Sequence, residues 1–91
     1  MDDLALKNLR SEIDVLDEQL MDVIAKRIEV VRKIGNFKKI NNIEFLDEKR
    51  LQEILKVRIE KAKTLHLSED FIKSLYILLH EYSLEVEKGS Q

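Results

Sequence analysis

The sequence contains no cysteine, which excludes disulfides and thiolate metal sites and leaves the redox compartment unmarked. It contains no proline and only two glycines, so the residues that most often break helices or shape tight turns are nearly missing. No run approaches the roughly 20 apolar residues of a membrane span. The acidic start MDDLALKN lacks the pattern of a secretory leader, and a cytoplasmic protein is expected. An excess of one charge is lacking too. Sixteen basic residues face 18 acidic ones for a net charge of −2, without the basic surplus of a nucleic-acid binder. Nucleic acid and membrane are therefore set aside as partners. The only two histidines, His66 and His80, are too isolated to ligate a metal, and no metal or cofactor is expected.

What is present favours helix. Leu, Ile, Glu and Lys dominate, and the expected fold class is all-α. Ninety-one residues make one small domain, 1–91, at a size where a lone chain buries a modest core and a second subunit helps. Helix 1 is expected from about 3 to 40, carrying Leu9, Ile13, Leu16, Leu20 and Val23 at three- and four-residue steps and ending near Asn41 and Asn42. Helix 2 follows over about 46–63, with Leu51, Ile54, Leu55, Ile59 and Ala62 inward. Ser68, ahead of Glu69 and Asp70, reads as the N-cap of helix 3, about 68–88. Its inward residues are Phe71, Leu75, Leu78, Leu79, Tyr82 and Val86. Helix 1 would run roughly 55 Å, against a radius of gyration of about 12 Å for a compact chain of this size. Its stripe needs another cover, and an intertwined homodimer of side-by-side long helices is predicted.

The stripe of helix 1, continued at its own spacing, reaches Arg27, Val31, Ile34 and Lys38. Arg27 and Lys38 are eleven residues apart, which brings them within about 20° of one helical direction. Arg10 lies at the stripe's edge. A single inward cation is explained by snorkelling, with its methylenes on the seam and its charge in water. Two at matched phase require a counter-anion, and few acids share their face, so a ligand bearing carboxylates becomes a serious hypothesis. Asp47 and Arg50, three apart at the start of helix 2, read equally as a helix-stabilising pair. Ser83 and Glu87, four apart on the edge of helix 3's stripe, read equally as solvated surface. Arg58, on helix 2's apolar side, is explained only by snorkelling or by an acid across an interface.

Taken together, the segments LRSEIDVLDEQLMDVIAKR, IGNFK, DEKR and LLHEYSLEVEK resemble the all-helical chorismate mutases over nearly the whole chain. The first segment is the most specific. The resemblance implies a cofactor-free isomerase that rearranges chorismate, a dicarboxylate, to prephenate in one pericyclic step of aromatic amino acid biosynthesis. It implies that Arg10, Arg27, Lys38, Asp47, Arg50, Ser83 and Glu87 bind substrate, with Arg10 reaching across from the neighbouring subunit of a homodimer. Arg10, Arg27, Arg50 and Ser83 would clamp the carboxylates in the reactive conformer. Lys38 would donate to the ether oxygen as negative charge builds there, and Glu87 would contact the same oxygen.

Two residues depart from the family pattern. Glu87 stands where several relatives carry glutamine, and a glutamate donates a hydrogen bond only when protonated, so activity is expected to rise toward acid pH. Leu51 stands where the family usually has a glutamate that accepts from the substrate's ring hydroxyl, which leucine cannot do. Leu51 favours the next reading, an isochorismate-pyruvate lyase on the same fold. A 4-amino-substituted chorismate is a third substrate to weigh. A non-catalytic helical dimer is the reading from outside enzymology, and it would tolerate alanine at Arg27 and Lys38.

Overall fold

The computed structural model describes residues 3–89. They form three α-helices, α1 (Asp3–Ile40), α2 (Glu48–Thr64) and α3 (Glu69–Lys88), without a strand among the described residues. The fold is all-α. The chain divides into two compact units, at the boundary between Val30 and Val31.

The first unit holds only helix, the N-terminal stretch of α1. Leu9, Ile13, Leu16, Leu20 and Val23 are each 56–60% exposed within it, because a single helix cannot bury its stripe against itself. No helix among the described residues is long and apolar enough to cross a membrane.

The second unit holds the last turns of α1 together with α2 and α3. The four residues 65–68 join α2 to α3, a length typical of helices that pack as neighbours. Val31, Leu55, Ala62, Ile72 and Val86 form its buried apolar core. Each fully buried residue of this type contributes about 1.5–3 kcal/mol, less for alanine. The start of α2 falls at Glu48, two residues beyond the 46 expected, because Asp47 is the N-cap rather than a residue of the first turn. Its Oδ1 accepts the Arg50 N–H at 2.9 Å, a cap worth about 1 kcal/mol. Ser68 caps α3 as expected, its Oγ accepting the Phe71 N–H at 3.1 Å.

The inward face of α3 differs from the expected one. Phe71 and Leu78 are 59% and 62% exposed, whereas Ile72, Ser83 and Val86 are buried. Apolar residues fill 71, 72 and 75–79, so several helical phases fit the pattern. The phase through 72, 76, 79, 83 and 86 is the one that packs. Ser83 consequently lies in the buried stripe, not on its edge.

Both inter-helix connections have a left-handed residue at their second position. Asn42 has φ 56°, and past it the Ile43 N–H reaches the Lys38 carbonyl at 2.8 Å while the Asn42 N–H reaches that of Lys39 at 3.4 Å. His66 has φ 56°, and the Leu67 and His66 N–H groups bond Ala62 and Lys63 carbonyls at 3.0 and 3.3 Å. These paired bonds satisfy the orphan carbonyls of each helix end. Asparagine tolerates that conformation, but at His66 the Cβ is penalised by about 1 kcal/mol or more. We expect His66→Gly to stabilise the fold by about 0.5–1 kcal/mol, after allowing for glycine's greater freedom when unfolded. The midpoint of urea unfolding checks this, and a midpoint at or below that of the parent chain contradicts it.

Candidate active site

Lys38 sits in the last turn of α1, where its own carbonyl takes part in the helix-ending bonds. Its side chain is held by the same connection. Nζ donates to the Phe45 carbonyl at 2.8 Å, and it lies 2.7 Å from Oε1 of Glu87, on the last full turn of α3. The two side chains are only 14% and 12% exposed. Oε1 of Glu87 is itself buried, so the pair is held by charge at short range with little water to screen it. Removing water from both partners makes their attraction stronger than a surface pair's, and makes loss of either one expensive. Ser83, one turn before Glu87 on α3, is buried at 6% exposure.

Gly35 is buried one turn before Lys38. A Cβ placed there would lie 2.7 Å from both the Cα and the carbonyl oxygen of Glu87. The close approach of α1 to α3 therefore occurs at the residue that carries the carboxyl. The sequence alone did not single out Gly35 as a functional position. The available signal was its position, since glycine inside a helix costs about 1 kcal/mol relative to alanine.

The other expected residues are placed differently. Asp47 and Arg50 lie exposed at the start of α2. Asp47 spends its carboxylate on the cap, and the Arg50 guanidinium is 4.0 Å from Glu53 in a solvated pair, an interaction worth little. The expected Asp47–Arg50 pairing is thus a side chain to a backbone N–H, not an ion pair. Leu51 is half-buried and offers no acceptor. Arg10, exposed, and Arg27, half-buried, belong to the first unit. Arg58 has a partner of its own, with its guanidinium carbon 5.5 Å from the centre of the Tyr76 ring, a cation–π contact that neither sequence explanation anticipated. His80 is half-buried, with Nε2 buried and without a hydrogen-bond partner among the described residues. No group of three or more His, Asp or Glu among the described residues is arranged to hold a metal ion.

A desolvated ammonium beside a carboxyl, with a buried hydroxyl one turn away, suits stabilisation of an oxygen that gains negative charge. The fold and this pair define a small helical domain with a lysine–glutamate pair enclosed where the end of α1 meets the end of α3. Residues 9–88 match the model of the family described as chorismate mutase type II, and the chain belongs to that family. Among the curated relatives, the T-protein of Haemophilus influenzae is 37% identical over 71 residues, 78% of this chain and 19% of that protein. The bifunctional chorismate mutase/prephenate dehydratase of Escherichia coli is 32% identical over 81 residues, covering 89% of this chain and 21% of its own length. The 4-amino-4-deoxychorismate mutase of Streptomyces venezuelae is 29% identical over 83 residues, covering 90% of this chain and 80% of its own. The chain thus spans about a fifth of the length of the first two and most of the third.

Proposed function

We propose that this chain is a chorismate mutase that converts chorismate to prephenate for aromatic amino acid synthesis. The observation that carries the reading is the water-poor Lys38–Glu87 pair, at 2.7 Å, in a member of this family. Its reaction is unimolecular and needs no nucleophile, base or cofactor. A site has only to hold the reactive conformer and stabilise the ether oxygen as its C–O bond breaks. Lys38 donates to that oxygen, Glu87 contacts it, and Ser83, Arg50 and the Asp47 region bind the rest of the substrate. Arg27 and, from a neighbouring subunit, Arg10 hold its carboxylates. The uncovered stripe of Leu9, Ile13, Leu16, Leu20 and Val23 supports a homodimer of this one-domain chain, since contiguous exposed apolar surface on this scale marks an interface. A cytoplasmic location fits an enzyme acting on a soluble metabolite.

The test is chorismate conversion by the purified protein at two pH values, with products identified chromatographically and Glu87→Gln run beside the parent. A neutral side chain at 87 donates a hydrogen bond to the ether oxygen, and a carboxylate cannot. Glutamine has an N–H to donate in every case, so Glu87→Gln is expected to convert chorismate at least as fast as the parent. A parent that leaves chorismate untouched defeats the reading, and a Glu87→Gln variant more than tenfold slower than the parent defeats the role of Glu87 as a donor.

A second reading is favoured by Leu51 together with the Streptomyces relative: a substrate with an amino group in place of the ring hydroxyl. Leucine accepts no hydrogen bond from a hydroxyl, so the usual reason to prefer the hydroxylated ring is missing. Turnover of 4-amino-4-deoxychorismate in preference to chorismate establishes this alternative. Release of pyruvate from isochorismate establishes the lyase instead.

A further inference from the structure

We propose that Gly35 is a positioning residue for Glu87, bringing its carboxyl to an ammonium that cannot move to meet it. This rests on the reading above for its effect on turnover, and on geometry alone for its effect on the pair. Three observations converge. A Cβ at 35 would stand 2.7 Å from Glu87 Cα, 2.7 Å from its carbonyl oxygen and 3.1 Å from its carbonyl carbon, well inside the about 3.5–4.0 Å of comfortable carbon contact. The atoms struck are backbone, so no rotamer change relieves the clash, and α3 must retreat from α1 at residue 87. Lys38 cannot follow that retreat freely, because Nζ is bonded to the Phe45 carbonyl at 2.8 Å and its helix end is fixed by the Ile43–Lys38 bond at 2.8 Å.

Gly35 touches neither the ammonium nor the carboxylate, and nothing in its chemistry could act on a substrate. It acts only by its lack of a side chain. A helix otherwise rich in strong helix formers tolerates there a residue that costs about 1 kcal/mol relative to alanine, and the return is the separation between two buried charged groups. Misplacement of a reacting contact by about 1 Å can cost on the order of 100-fold in rate.

The experiment uses the full chain carrying Gly35→Ala. Crystal structures of the parent and the variant are compared first. The Lys38 Nζ–Glu87 Oε1 separation is expected to open from 2.7 Å to beyond the about 3.2 Å limit of a good polar contact, and an unchanged separation overturns the proposal. This arm decides the matter even if the parent turns over no chorismate, in which case the proposed function alone has failed. With chorismate as substrate, kcat is expected to fall by about 10- to 100-fold with KM within threefold. In a Glu87→Ala background the same substitution is expected to cost much less, because a positioning effect disappears with the group positioned. Additive losses, or a kcat that falls only in proportion to the fraction folded, overturn the proposal. Should the variant be unfolded in plain buffer, the measurements are repeated in trimethylamine N-oxide, which favours the compact state. A variant that stays unfolded there marks Gly35 as a folding residue and overturns the positioning role.

Discussion

Lys38→Ala is expected to lower kcat/KM for chorismate by about 100- to 1000-fold, the usual effect of deleting one preorganised donor aimed at a developing oxyanion. The ether oxygen gains charge only as its bond to carbon breaks, so the ammonium stabilises the transition state more than the ground state, and the loss falls mainly on kcat. Alanine also strands a carboxylate that is 12% exposed in its side chain, which weakens the fold as well. Lys38→Met combined with Glu87→Gln separates the two effects, since the pair keeps its bulk and no buried charge is left stranded. It should recover much of the stability lost in the alanine variant and none of the rate. Arginine should not rescue activity, because its planar fork cannot occupy the spot of a compact ammonium between the Phe45 carbonyl and Glu87. Paired melting curves and single-substrate kinetics check all three variants. A Lys38→Ala enzyme within tenfold of the parent would remove Lys38 from the reaction, and the helical interaction module would then be the better reading.

The second large effect lies at the other end of α1. Leu16→Glu with Leu20→Glu is expected to abolish self-association and, with it, turnover. Each leucine now 56% exposed would contribute about 1.5–3 kcal/mol when covered, and each glutamate would instead bury a charge against an apolar stripe. In a two-fold interface every substitution acts twice. If Arg10 completes the neighbour's site, separated chains cannot be rescued by excess substrate. Sedimentation velocity across a concentration series, with chorismate turnover measured on the same samples, checks the outcome. A double variant that still sediments as a dimer would assign the stripe another role.

The all-helical class and the long first helix were legible because the signal is redundant. A proline-free chain repeats its apolar residues at three- and four-residue steps, and Ser68 announces its helix by cap chemistry. The phase of α3 was not legible, since apolar residues on nearly every side leave the choice to packing, and Ser83 was misjudged with it. Lys38 and Glu87 could be singled out, one by its place in an apolar stripe and both by family resemblance. Their pairing depends on how two helix ends approach each other, which no local pattern encodes. The role of Asp47 as a cap was missed for a related reason. An acid beside a helix start suits both the first turn and the residue before it, and one residue of register separates the two.

The bond from Lys38 to the Phe45 carbonyl has a consequence for direction. An ammonium carries three N–H bonds in tetrahedral array. With one fixed on the loop at 2.8 Å, the other two are confined to a cone opening away from it. Glu87 Oε1, at 2.7 Å from Nζ, lies within reach of that cone. The loop carbonyl therefore fixes which way the remaining two N–H bonds face, and any further partner of this ammonium has to lie within that cone.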